Sequence, residues 1–364
     1  MSENKTHFNS ANIAILGASG YTGIEAIRLL VNNSNYNIVD LSADSNAGMS
    51  VSEVYPHLSR INLPDFKKIE DINFSKVDAV ISCLPHGKSQ KILSSLPTNI
   101  KICDLSADFR FADIHSYEKV YNKSHEAKVL QKEAVYGLTE INRDKIKKAR
   151  FVANPGCYPT SALLPILPLI DSNIIKYGTI VVDSKSGVSG AGRTLKNNLL
   201  YGEVSEGFSA YGLVNHRHSP EIQSQITNFG SSEYKVLFTP HLLPIKRGIL
   251  STIYLSINDN FNLENVVNCL RDKYSEEKFV DYSDTIPSTH DVRGTNFCKM
   301  QAFFDENTNK VIIISVIDNL IKGASGQAIQ NLNLMLGFDE SDGCLLYTSP
   351  SPRDQRGSRM ASSA

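Results

Sequence analysis

The 364-residue chain has no run of about 18 consecutive apolar residues, which leaves no membrane-spanning helix in the sequence. Its polar opening, MSENKTHFNS, lacks the apolar core of an export signal. None of the six cysteines (Cys83, Cys103, Cys157, Cys269, Cys298, Cys344) falls in a CxxC pair or at zinc-ligand spacing with histidine, so neither a disulfide framework nor a metal site is expected. A cytoplasmic protein with free thiols is the expectation. Charge of one sign is also missing: 37 Lys and Arg against 38 Asp and Glu leave a net −1, too balanced to hold duplex nucleic acid or an anionic membrane by charge alone. No Walker A loop, HExxH or GxSxG elbow occurs, which removes the NTPase, zinc-protease and α/β-hydrolase readings.

What is present is ample apolar sequence, 41% of residues, enough for two domains. The first half alternates short apolar strands with helical patterns: residues 12–16 (NIAIL), 37–41, 77–83 and 100–105 read as strands buried on both faces. Beyond about residue 155 the runs lengthen and alternate, at 177–184, 249–257, 297–304 and 310–317, as in a largely antiparallel sheet. The expected fold is therefore α/β, with a Rossmann-type parallel-sheet dinucleotide domain over 1–155 and an α+β catalytic and dimerisation domain over 156–318. Residues 319–340 contain a last helix, about 326–336. Residues 344–364 (CLLYTSPSPRDQRGSRMASSA) resemble translated adapter or vector sequence and are expected to be a non-native tail.

Several segments can carry chemistry. The first strand runs into Gly17-Ala18-Ser19-Gly20-Tyr21-Thr22-Gly23, a glycine turn opening a helix, where backbone N–H groups and the positive helix end suit a pyrophosphate. Asp44, after the second strand, is placed to accept from a ribose hydroxyl and so tilts toward NAD; a solvated loop carboxylate is the alternative. In Asn154-Pro155-Gly156-Cys157-Tyr158-Pro159-Thr160, Cys157 falls at a helix N-terminus, which lowers a thiol pKa and makes a nucleophile. A base is available in His216-Arg217-His218-Ser219-Pro220-Glu221. His218 is favoured over His216 because Glu221, three residues on, lies within reach of it. Two glycine-rich segments, SGVSGAGR ending at Arg193 and DNLIKGASGQ starting at Asp318, can offer backbone donors and a cation to an anion. Arg110 and Arg247 are candidate clamps for carboxylate or phosphate.

Taken together, GASGYTG, SADFR, NPGCYPT, SGVSGAGR, HRHSPEI, FTPHLLPIKRG and DNLIKGASGQA occur in an order that resembles the N-acetyl-gamma-glutamyl-phosphate reductases, over residues 12–338. The resemblance implies a dinucleotide domain, an inserted domain that forms the contact of a homo-oligomer (dimer or tetramer), and a last helix packed back on the first domain. It implies NADP as cofactor and a step of arginine biosynthesis: reduction of the acyl phosphate of N-acetylglutamate to the semialdehyde. Cys157 would form a thioester, His218 would act as acid/base oriented by Glu221, and Arg110, Arg193, Arg247 and Asn154 would meet the substrate. Pro85, Gly187 and Asn319 would line the cofactor site beside the glycine turn. Two departures stand out. Family members often carry Ser-Arg after the second strand to meet a 2′-phosphate, where this chain has Ala43-Asp44. Pro165 lies inside the helix after Cys157, where it should kink or end it. A carrier-linked aminoadipyl phosphate as substrate, and a non-catalytic dinucleotide sensor, are the competing readings.

Overall fold

The structure, a computed structural model, describes residues 10–344. The tail expectation falls outside the described residues except at Cys344, which is buried and donates from Sγ to the Gly326 carbonyl at 3.4 Å.

The first sheet has seven strands: β1 (Ala11–Leu16), β2 (Tyr36–Ser42), β3 (Phe66–Lys67), β4 (Ala79–Ser82), β5 (Lys101–Asp104), β6 (Ala134–Tyr136) and β7 (Phe151–Ala153). Their order is β3-β2-β1-β4-β5-β7-β6, with every pairing parallel. The central strands are largely apolar because both faces are covered. Ile13 and Ile15 point into one core and Ala14 and Leu16 into another. The order reverses between β1 and β4, so the turns that follow these two strands open a crevice at the sheet's carboxyl edge.

The second sheet is mixed and mostly antiparallel: β8 (Thr179–Gly187), β9 (Ser209–Ala210), β10 (Lys235–Leu243), β11 (Ile249–Leu255), β12 (Val280–Tyr282), β13 (Cys298–Asp305) and β14 (Lys310–Ile317), in the order β12-β13-β14-β11-β8-β10-β9. Only the β8/β10 and β12/β13 pairs are parallel. One face packs Val182, Ile253 and Ile313 against the helices Cys157–Asp171, His218–Phe229 and Leu263–Tyr274. On the opposite face Leu237 and Tyr254 are exposed on strands next to Val181 and Ile312. Strand β10 is missing from the sequence reading because Pro240 interrupts it. Pro240 nevertheless keeps its place opposite Ser184, and its carbonyl accepts from Tyr211.

Pro165 does not end the nucleophile helix, which runs from Cys157 to Asp171 through both Pro165 and Pro168. Proline removes a donor to the carbonyl four residues back. The carbonyl that Pro168 deprives, that of Leu164, is satisfied instead by the Tyr274 hydroxyl, and the helix is buried on nearly every side.

After β14 the chain makes one π-turn, Ile321–Ser325, and enters the helix Gly326–Leu336, which ends at Gly337 with φ +82°. Ile329 and Leu332 pack in the same core as Ile13 and Ile15. Inside this seam Lys322, fully buried, bonds Glu140 at 2.6 Å and Gln330 at 3.0 Å.

Candidate active site

The crevice is a cleft of about 1460 Å³ between the two sheets, with the glycine turn at one end and Cys157 at the other. At the turn, Gly17 has φ +72°, and a Cβ there would come within 2.7 Å of the Cys83 carbonyl. The helix it opens, Tyr21–Leu30, begins at Gly20 with no side-chain cap and no acid in its first turn, so its amide end faces the cleft free for an anion. Ser19, Gly20, Tyr21 and Thr22 are on the cleft wall. Gly23 is not: it is buried where a Cβ would meet Ala18 at 2.6 Å, and its role is close helix–strand packing. These features fit a dinucleotide pyrophosphate.

Cys157 is the first residue of its helix, behind Gly156 as an N-cap without a side-chain cap, and its thiol faces the cleft. Burial pushes the thiol pKa up, against the Tyr158 N–H and the guanidinium groups of Arg110 and Arg217, which favour the thiolate. This corrects the expectation of a thiol lowered by the helix end alone; deprotonation at neutral pH needs a base.

That base is at hand. The His218 imidazole, buried at the start of the next helix, presents Nε2 within 2.5 Å of where a Cβ on Gly156 would sit. Gly156 is therefore the only residue type that leaves the imidazole its place. Burial, with His216, Arg217 and Arg110 as neighbours, drives the His218 pKa well down, so the ring is neutral and able to accept a proton. His216 is also held neutral, lowered to about 4 by burial and then by Arg217. Its Nδ1 accepts from the His218 backbone N–H at 3.1 Å, and its ring packs edge-on against Tyr158 and His218. It stands behind His218 and off the cleft wall.

Glu221 does not orient the imidazole. Its carboxylate is taken by three other donors, Arg110 Nη1, the Tyr136 hydroxyl and the Gly156 N–H, each at 2.9 Å. Sequence proximity suggested His218, but one helical turn directs the carboxylate across the domain boundary instead. Arg110 is 7% exposed and also donates to the carbonyls of Asn154 and Leu105, both at 2.8 Å. The unit fixes the peptide just before the nucleophile. Tyr136, the third side chain of the unit, had no sequence signal beyond a short apolar run.

Four further expectations are corrected. The Asn154 amide turns away from the cleft, donating to the Ala324 carbonyl and accepting from Asn331. Arg247 pairs with Glu25 of the first-domain helix and approaches Asp318 at 3.7 Å, a tie between domains and not a substrate clamp. Arg193 reaches the other end of the cleft, donating to the Ser19 carbonyl at 2.8 Å and the Tyr55 hydroxyl at 2.6 Å. Gly187 is packed against the backbone of 245–247 and does not reach the wall. Pro85, Asp44 and Asn319 do line the cleft, with Asn319 held by the Gly248 N–H and Ser189. Gly323, in the second glycine-rich segment, lets the π-turn approach the nucleophile: a Cβ there would lie 2.7 Å from that of Cys157.

Residues 12–149 match the family described as semialdehyde dehydrogenase, NAD binding domain, and residues 157–319 the semialdehyde dehydrogenase, dimerisation domain. A protein of Arabidopsis thaliana named "Probable N-acetyl-gamma-glutamyl-phosphate reductase, chloroplastic" is 52% identical over 92% of this chain and 84% of its own length. The chain belongs to the N-acetyl-gamma-glutamyl-phosphate reductase family. Relatives of that name from Rhodospirillum rubrum (48% identical, covering 91% of this chain and 96% of theirs) and Cereibacter sphaeroides (47%; 92% and 98%) agree. Among solved structures, aspartate semialdehyde dehydrogenase II of Vibrio cholerae shares the fold at TM-score 0.69 and 16% identity, over 90% of this chain and 98% of its own. The shared fold is the parallel first sheet and mostly antiparallel second sheet described above. No helix among the described residues is long and apolar enough to cross a membrane.

Proposed function

We propose that the chain reduces N-acetyl-glutamyl 5-phosphate to N-acetylglutamate 5-semialdehyde with release of phosphate, the step of arginine biosynthesis that its relatives' name describes. The observation that carries this is the convergence, at one end of a dinucleotide cleft, of a helix-terminal thiol and a neutral buried imidazole. His218 accepts the Cys157 proton as Sγ attacks the acyl carbon. The C–O bond to phosphate breaks, the proton passes to the departing phosphate oxygen, and a thioester remains. A bound nicotinamide cofactor supplies the hydride that takes the thioester to the aldehyde. Glu221, Arg110 and Tyr136 hold the Asn154–Gly156 backbone ahead of Cys157, and the Tyr158 N–H stabilises the thiolate that is regenerated.

We infer NADP as the cofactor. Lys88 Nζ lies 3.7 Å from Asp44, and Lys68 and Lys91 share that end of the cleft, so a 2′-phosphate would find cations where the family's Ser-Arg pair is missing. Glu70 and Glu126 stand on the same wall. A homo-oligomer through the second domain fits the matched dimerisation domain and the uncovered apolar residues Leu237 and Tyr254. A cytoplasmic setting fits six cysteines all free.

The deciding experiment is phosphate-dependent oxidation of N-acetylglutamate semialdehyde, run with NADP and with NAD and followed by absorbance of the reduced cofactor. Turnover that requires phosphate, is faster with NADP and is abolished in Cys157→Ser with NADPH binding retained is expected. Wild-type turnover in Cys157→Ser would remove the thioester route.

A further inference from the structure

Three arginines line the cleft, and two are spoken for. Arg110 is buried and spends donors from Nε, Nη1 and Nη2 on protein acceptors. Arg193 is bound to Ser19 and Tyr55 at the glycine turn. Arg217 differs. It is exposed, sits at the N-cap of the helix that begins with His218, and among the described residues no carboxylate lies within ion-pair distance of its guanidinium. The acidic residues on the cleft wall, Asp44, Glu70 and Glu126, flank the nucleotide segments and not the Cys157 end. A guanidinium left unpaired beside a nucleophile and its base is a ready partner for an anion with two acceptor oxygens in a plane.

We propose that Arg217 binds the phosphoryl group of the acyl phosphate and stabilises the charge that gathers on it as it leaves. This rests on the reaction proposed above. Position argues for the leaving group over the substrate's own carboxylate. Arg217 is adjacent in the chain to His218, which delivers the proton to the departing oxygen, and it is exposed where Arg110 is buried, so phosphate bound to it has a way out to solvent. As Sγ bonds to the acyl carbon and the C–O bond breaks, negative charge moves onto the phosphate oxygens, and a fixed guanidinium is worth most at that moment. The same charge favours the Cys157 thiolate and adds to the burial that keeps both histidines neutral, so one residue serves nucleophile, base and leaving group.

The test compares wild type, Arg217→Gln and Arg217→Lys in the phosphate-dependent direction. Arg217→Gln is expected to raise the KM for phosphate about 10- to 100-fold, the loss of one charge-assisted contact, with the KM for the semialdehyde changed little, NADPH affinity unchanged by fluorescence, and Arg217→Lys in between. A rise in the semialdehyde KM at constant phosphate KM would assign the guanidinium to the substrate carboxylate and overturn the proposal, as would unchanged constants. A second readout needs no natural substrate. Alkylation of Cys157, followed by mass spectrometry of its peptide, is compared for iodoacetate, an anion, and iodoacetamide, which is neutral. Both consume the same thiolate, so the ratio of rates reports anion attraction alone. It should fall several-fold in Arg217→Gln; an unchanged ratio contradicts the proposal. If the wild type shows no phosphate-dependent turnover, the reaction itself has been misassigned, and the alkylation ratio still tests Arg217.

Discussion

Replacing Glu221 by Gln removes one charge from the unit that fixes the nucleophile's peptide, and its effect separates two roles for this residue. The amide keeps the length of the side chain, and its carbonyl can still accept from the Gly156 N–H and the Tyr136 hydroxyl. What is lost is the counter-charge 2.9 Å from Arg110, which is left 7% exposed and bonded only to two carbonyls. Breaking one side of a buried pair costs about 3–5 kcal/mol, and the two remaining carbonyl acceptors place the expected loss near the lower end, about 3 kcal/mol. Because the chain has no tryptophan, urea unfolding is best followed by circular dichroism. The double variant Arg110→Met/Glu221→Gln should be less destabilised than the sum of the single changes, since it removes the orphaned charge. Turnover should fall at all pH values, because Arg110, which holds the Asn154 carbonyl ahead of the nucleophile, loses its counter-charge. Unchanged stability, with turnover altered only on the acid side, would mean that Glu221 works through the His218 imidazole after all, and the argument from the three hydrogen bonds would fail.

Other consequences are open to the same treatment. Lys322→Met should cost about 3–5 kcal/mol in unfolding free energy by stranding the fully buried Glu140, and Lys322→Met/Glu140→Gln should recover part of it; a loss under about 1 kcal/mol would refute this. His216 sits near 4 in the folded chain and near 6.5 when unfolded, so the unfolded state binds more protons between these values. Stability should therefore fall as pH drops from about 6.5 to about 4, and Glu or Asp titration aside, His216→Gln should flatten that part of the stability–pH curve. Lys88→Ala/Lys91→Ala should weaken binding of 2′,5′-ADP about 10-fold or more while leaving 5′-ADP nearly unchanged, measured by calorimetry; equal losses for both would refute a 2′-phosphate role for these lysines.

Local pattern carried much of this molecule into view. The strands β1, β11 and β14 follow their apolar periods within a residue or two, and the last helix begins and ends where Gly326, Leu336 and Gly337 indicate. Reading failed where a residue's partner is remote. Glu221 was read against His218, three residues away, whereas its partners are 65, 85 and 111 residues distant. Arg247 looked like a ligand clamp because a guanidinium suits a carboxylate or phosphate, and nothing local reveals Glu25 across 222 residues. Asn154 beside the nucleophile suggested substrate, but its amide is needed by Ala324 and Asn331. Pro165 misled as well, since the helix it was expected to kink or end runs on through it, held in place by burial against other elements.

Every residue of the helix Gly326–Leu336 is buried, and it fills the core beneath the first sheet, whose strand β1 is Ala11–Leu16. During synthesis, then, the amino-terminal sheet emerges with one of its faces uncovered and must wait for almost the whole polypeptide before its own core can close. The contacts that complete it span some three hundred residues, the kind of distant closure that folds slowly and leaves apolar surface exposed in the interval. A chain interrupted before residue 326 would lose more than a carboxyl-terminal appendage. It would release a nucleotide domain that has never been whole.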